Sequence, residues 1–487
     1  MSARIVDRVR STLAPSDHPY LNGAWAPQFE EWDAEDLEIS GTLPRDLAGV
    51  YLRNTENPVH APLGRYHPFD GDAVLHSISF GDGRASYRNR FVRTKGFVAE
   101  AEAGRALWSG IAEMPPRSER TGWGAHGHVK DSSSTDVVVH AGRALTSFYQ
   151  CGDLYQLDPV SLEQFGPADW HGEFPRDGVS AHSKLDAATG ELLFFNYSRQ
   201  APYMHCGVVG PDWRLKQYRP VPLPGPRLPH DMAYTRRFMI LNDMPLFWDA
   251  KLLERGLFAA RMHELPTRFA LVPRDGGGIR WFEAGPTYVL HWINAWEDGD
   301  EVVLDGYRQR CPNPPPLAGA PAAYAQLMAY TDLYSMRPQL WRWRFNLRTG
   351  ATREEALDEG IAEFGSINHD YRTRPHRYVY SMLGKPGWFL FEGMVKHDLA
   401  RGTHETVRFG EGVYGSEAPF APRTGGTSED DGYVVTFISD MTRDCSECWV
   451  YAAQDFSAGP VARVRLPARI PSGVHACWAP ASQLRAA

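Results

Sequence analysis

The sequence has 487 residues, of which 43% are apolar and 23% charged, a balance that excludes a disordered chain. A net charge of −8 leaves no electrostatic footprint for DNA or RNA. No run of about 18 apolar residues occurs, so no spanning helix is expected. Charges occupy the first ten residues where a secretory apolar core would lie, which makes a cytoplasmic protein the expectation.

The composition also holds 15 Trp, 21 Tyr and 23 Phe, with 45 Gly and 37 Pro. Aromatic-rich short strands broken by Gly/Pro turns predict an all-β sandwich, barrel or propeller. In chain order, residues 137–149 read as strand, tight turn at Ala141-Gly142, and strand. Residues 154–159 continue that hairpin, residues 192–197 form a strand fed by the turn Ala188-Thr189-Gly190, and residues 297–304 repeat the pattern. Similar phrases close strands at Leu157-Asp158-Pro159 and at residues 345–350, 397–402 and 454–459, the last three starting 52 and 57 residues apart. Each predicts the turn between the outer strands of a four-stranded blade, near the ~40–50-residue period of propeller repeats. At that rhythm the chain holds about seven blades in one closed unit, so residues 1–487 are expected as a single propeller domain. Helical patterning is confined to insertions, at residues 248–262 and near residues 320–333. Cap segments are expected at roughly 95–130, 245–270 and 310–335, because insertions on one face of a repeat array build the binding face.

Six cysteines are too few for a disulfide scaffold, and only Cys445 and Cys448 have metal-like spacing. Without a second such pair they read as two thiols on or near a strand; Cys151 and Cys206 read as core fillers. There is no HExxH, GxSxG, P-loop or dinucleotide fingerprint. His126-Gly127-His128 has no carboxylate or third histidine nearby and reads as a loop. Of the 18 histidines, His182, His230, His291 and His475 stand out, each flanked by small or apolar residues as if at the inner end of a strand. Converging inner strands could gather them on the axis. Taken singly, each reads as well as a buried, hydrogen-bonded core histidine, and spacing alone does not make a metal site.

Several blocks resemble the carotenoid cleavage oxygenase family, which includes retinoid-, apocarotenoid-, stilbene- and phenylpropene-cleaving members. They are residues 49–58 (GVYLRNTENP), 66–76 (YHPFDGDAVLH) and 87–94 (YRNRFVRT), with the four histidine contexts in the same order. The resemblance runs from about Pro19 to Trp478. It implies a seven-bladed β-propeller capped by loops and short helices, with one non-haem Fe(II) per chain on the axis, no organic cofactor, and His182, His230, His291 and His475 as ligands. His67 and His76 are then not ligands. Four imidazoles suit iron and leave two cis positions for O2. The implied partners are O2 and a conjugated alkene, whose C=C bond is cleaved into two carbonyl compounds.

Ligating histidines usually donate their other N–H to a carboxylate or carbonyl. By the same resemblance Glu363 and Glu417 match two of the family's three supporting glutamates, and the third position falls at Gln150, which brings no charge. Gln150 reads equally as a buried hydrogen-bonding strand residue. Thr135 matches a threonine beside the iron. For substrate binding, Lys130 matches a phenol-gripping lysine, Phe97 stands where the partner tyrosine would be, and Trp292 is expected to face the tunnel. Loss of the phenol clamp favours an apocarotenoid; the alternative is a stilbene or a small phenylpropene such as 4-vinylguaiacol or isoeugenol, giving vanillin-type aldehydes. A non-catalytic binding propeller is the remote alternative. Residues 252–269 are expected as a lid over the tunnel, with peripheral membrane contact as the other reading; the oligomeric state is open.

Overall fold

The computed structural model describes residues 1–111, 113, 117–120, 129–248, 260–262 and 264–484. Its strands form seven four-stranded antiparallel blades around one axis. In blade order the innermost strands are Ala476–Pro480, Asp136–His140, Lys184–Asp186, Ala233–Tyr234, Trp292–Asp298, Glu363–Ser366 and Phe420–Pro422. Blades six and seven are joined into one sheet through the short strand Val413–Gly415.

The ring closes twice. The last strand, Ala476–Pro480, supplies the inner edge of blade one by pairing with Gly49–Asn57. At the outer edge of blade seven, Ile39–Gly41 from the beginning of the chain pairs with Pro460–Arg465. Both edges that would otherwise be unpaired are thereby covered.

Local sequence explains the blades. Ala141 (φ 44°) and Gly142 (φ 76°) form a two-residue turn with both residues left-handed, which matches the twist of the hairpin they join. The phrases at 157, 345, 397 and 454 each join the third and fourth strands of a blade, as the repeat rhythm predicts. Between neighbouring blades the faces are packed with apolar side chains; Phe269, Trp343 and Phe345 fill the wedge between blades four and five. Each such burial contributes about 1.5–3 kcal/mol.

The insertions differ from one another. Within the first cap segment a helix, α1, spans Lys95–Ala103, started by Thr94, whose Oγ1 accepts from the Phe97 N–H, and stopped by left-handed Gly104. In the third, α2 (Ala325–Thr331) and α3 (Leu333–Met336) meet at Asp332, whose carboxylate caps the second. The second is a correction. Leu246–Trp248 and Ala260–Met262 pair as a two-stranded ribbon, and Thr267–Pro273 is the third strand of blade four. That strand is buried on both faces, so its apolar residues run almost unbroken and mimic a helical cluster. Residues 249–259, most of the expected lid, lie outside the described residues, as do His126 and His128. Among the described residues no helix is long and apolar enough to cross a membrane.

Candidate metal centre

The axis end of every blade carries one polar group. His475, Asp136, His182, His230, His291, Glu363 and Glu417 stand at or just before the seven inner strands, in that order around the ring. Extended strands converging on an axis bring these residues together although up to 339 positions separate them in the chain.

The four histidines meet. One ring nitrogen from each lies within 4.8 Å of the others, the span expected of donors about 2.0–2.1 Å from a shared ion. His182 Nε2 and His230 Nε2 are 3.2 Å apart. The opposite nitrogens are held from behind. His182 Nδ1 lies 3.1 Å from Asp136, His291 Nδ1 2.7 Å from Glu363 and His475 Nδ1 3.2 Å from Glu417. A carboxylate accepts the Nδ1 proton, so in each neutral ring Nε2 carries a lone pair facing the centre. Glu363 and Glu417 are themselves fixed by the backbone N–H groups of Phe364 (2.6 Å) and Ala476 (2.5 Å).

Electrostatics points the same way. Burial holds the imidazoles of His182 and His291 well below the ordinary value and that of His230 down to about 3, so they are neutral. Burial acts most strongly on His475, but the carboxylates of Glu417, Asp136 and Asp231 together raise that group. His291 Nε2 is buried without any partner. A buried lone pair left unpaired costs about 1–3 kcal/mol, and a cation among these nitrogens would supply the partner. The donor set fits a divalent transition metal bound by four imidazoles.

A further carboxylate ties the ligand-bearing segments together. Asp231, next to His230, pairs with Lys184 at 2.7 Å and accepts the backbone N–H groups of Met232 and Trp292, the latter adjacent to His291. A second His/Asp group, Asp358 with His397 and His404, lies on the outer part of blade six. There His397 and His404 stand 3.6 and 3.3 Å from the carboxylate and hold it down to about 2, an ion-pair arrangement away from the axis.

The two sides of the four imidazoles differ in chemistry. Along the axis runs a cavity of about 900 Å³, where apolar side chains such as Val137 and Met232 alternate with the charged groups of Asp136, Lys184, Asp231, Arg372 and Glu417. On the loop side lies an aromatic arc. Phe364 sits 4.7 Å from the His291 ring and stacks on His475 at 4.9 Å; Phe389, Phe69 and Tyr149 continue it, and Tyr149 ends 6.2 Å from His230.

The remaining predicted residues fall in varied places. Thr135 joins the inner hairpin, its N–H donating to Ser147 O and its Oγ1 accepting the Tyr149 N–H, so it fixes one end of the arc. Gln150 is buried, its Oε1 has no partner, and it makes no hydrogen bond to any of the four imidazoles. A third carboxylate, Asp136, backs His182. The sequence held a signal for it: Asp136, like Glu363, is the first residue of an inner strand.

Lys130 and Phe97 both make contacts within the protein. Lys130 is held between the buried carboxylates of Asp72 (2.7 Å) and Glu100 (2.6 Å), which take two of its three donors, and it borders a small cavity. Phe97 packs on Phe91, Val59 and Val74 beneath Arg93. Trp292 is mostly a core residue, edge-on to Phe269 and Trp343, with one part on the axial cavity. Lys130→Ala strands two buried carboxylates and should cost about 3–5 kcal/mol. Denaturant melts should show that loss, with substrate specificity in the residual folded enzyme unchanged. His67 and His76 serve locally: His67 Nδ1 accepts from the Phe69 N–H, and His76 bonds Tyr87. Cys445 and Cys448 lie on one strand, Cys445–Ala452, and among the described residues no third ligand is grouped beside them.

The family profile described as retinal pigment epithelial membrane protein matches residues 25–480, nearly all the blades. This chain belongs to that family, the carotenoid cleavage oxygenases. A carotenoid 9,10(9',10')-cleavage dioxygenase of Crocus sativus is 31% identical to it across 96% of this chain and 90% of its own. Among solved structures, the lignostilbene dioxygenase of Pseudomonas brassicacearum superposes with a TM-score of 0.84 at 25% identity, covering 96% of this chain and 100% of that one. A cobalt-substituted apocarotenoid oxygenase of Synechocystis gives 0.83 at 25% identity, covering 97% and 100%. As a member of this family the protein is an oxygenase with the seven-bladed fold of its relatives.

Proposed function

We propose that the protein holds one Fe(II) through His182, His230, His291 and His475 and uses O2 to cleave a conjugated C=C bond of an apocarotenoid-type polyene into two carbonyl products. The observation that carries this reading is the juxtaposition of four inward-facing imidazole nitrogens with an aromatic arc on one side. When bound, the iron supplies activation of O2 for addition to the alkene. The balance is complete without a co-substrate: the C=C bond breaks, two C=O bonds form, and each oxygen atom of O2 ends in one product.

The chain's own residues do the rest. Asp136, Glu363 and Glu417 hold three rings with Nε2 inward. Phe364, Phe389, Phe69 and Tyr149 offer π-faces and edges to a flat conjugated chain, an arrangement worth about 0.5–1.5 kcal/mol per aromatic contact beyond area burial. Few polar groups then fix the position of the bond that breaks. The carotenoid-cleaving relative supports the polyene reading. A phenolic stilbene or phenylpropene is the second reading, supported by the hydroxyl of Tyr149 at the end of the arc and by the lignostilbene dioxygenase neighbour.

Iron-loaded protein incubated under 18O2 with apocarotenals, stilbenes and vinylphenols tests both. Paired aldehydes from the apocarotenals, each carrying one label, are the expected result. Cleavage confined to 4-hydroxylated aromatics would replace the polyene by the phenolic reading, and Tyr149→Phe should then lower turnover. No O2 uptake with any of the three classes would remove the proposal.

A further inference from the structure

Resting on the four-histidine reading, we propose that Asp136 is the positioning residue for His182, a supporting carboxylate of the centre beside Glu363 and Glu417. One oxygen of Asp136, Oδ2, receives both the backbone N–H and the ring Nδ1 of His182, each at 3.1 Å. The other, Oδ1, accepts the Val137 N–H at 2.7 Å, so the carboxylate is pinned to the start of its own strand while it grips the next blade.

The same construction occurs twice more. Glu363 Oε2 accepts the ring of His291 and the N–H of Phe364; Glu417 Oε2 accepts the ring of His475 and the N–H of Ala476. In all three cases a carboxylate at the axis end of one blade orients a ring on the adjacent blade: two with three, six with five, and seven with one. His230 on blade four is the ligand left without a carboxylate partner in this set, and the buried Gln150 supplies it with no hydrogen bond.

Backbone conformation adds to the argument. His182 has φ 65°, a left-handed conformation uncommon outside glycine. It turns the N–H and the ring of one residue toward the same oxygen, and the surrounding structure must hold that conformation in place. A carboxylate that accepts both donors does so directly.

The test compares wild type with Asp136→Asn, Asp136→Ala and Gln150→Ala, each purified metal-free and then titrated with Co(II) against a chelator. The readouts are Co(II) affinity, its visible ligand-field spectrum, the His182 tautomer by 15N NMR of the metal-free protein, and the melting temperature of the metal-free form. Removing a partner that orients a ligand ring typically costs 10–100-fold in affinity. Asp136→Ala should therefore bind Co(II) 10–100-fold more weakly and lose the Nδ1–H tautomer of His182. Asp136→Asn keeps an acceptor and should rescue the tautomer and part of the affinity with a shifted spectrum. Gln150→Ala should change affinity by less than threefold. Should Asp136→Ala fail to fold, the Asn variant decides by its spectrum and affinity against wild type. Wild-type affinity and spectrum in both Asp136 variants, or a larger loss in Gln150→Ala, overturn the assignment while the metal reading stands. A wild type that takes up no Co(II) overturns the metal reading and this assignment with it.

Discussion

Replacing His291 by alanine is expected to abolish metal uptake and turnover while the propeller stays folded. His291 is the best-anchored of the four rings, with the 2.7 Å bond to Glu363 and a 4.7 Å contact to Phe364, and its inward nitrogen has no other partner. Three imidazoles remain after the change, one of them without a carboxylate behind it. Turnover should fall by more than about 100-fold, beyond the 10–100-fold typical of a lost supporting partner. Stability should change less. The blades carry their own cores, and Glu363, whose carboxyl burial already pushes well above the ordinary carboxylate range, can take up a proton once the ring is gone. Unfolding free energy should drop by about 1–3 kcal/mol, the cost of stranding one buried partner. Metal analysis, steady-state turnover and a denaturant melt on the same preparation check the three statements together.

Glu363→Ala should show the second-largest effect. Glu363 is fully buried at 0% exposure and, among the described residues, is the one carboxylate bonded to the His291 ring. Without it the ring can rotate and its tautomer is no longer set, so metal affinity should fall about 10–100-fold. Glu363→Gln retains an acceptor for the Nδ1–H and should lose less. Competition with a chromogenic chelator measures both. Equal affinities for wild type and Glu363→Ala would remove Glu363 from the support of the centre.

The parts of this architecture that local sequence dictates were legible without coordinates. Turn chemistry at Ala141-Gly142 marks the step from first to second strand in blade two, and the strand-closing phrases at 157, 345, 397 and 454 report the same third-to-fourth strand connection in four blades. The four histidines were legible as a set through their order and flanking residues, since each precedes an inner strand. What escaped depends on contacts between blades. Gln150 stood at the position the resemblance offered, yet the side chain that reaches a ring is Asp136, because a strand start on blade two faces blade three. Lys130 looked free because nothing local shows that Asp72 and Glu100 enclose it. Residues 267–269, the end of the expected lid, belong to a strand buried on both faces, and such burial removes the alternation that marks a strand. The aromatic arc was invisible for the same reason as the centre: its members come from residues 69, 149, 364 and 389.

Anomalous diffraction from crystals of the iron-loaded protein, recorded on both sides of the iron absorption edge, tests the central claim most directly. The account predicts one iron peak per chain on the propeller axis, about 2.0–2.2 Å from one nitrogen of each of His182, His230, His291 and His475. An iron peak elsewhere, or one bound by fewer than these four rings, would contradict it.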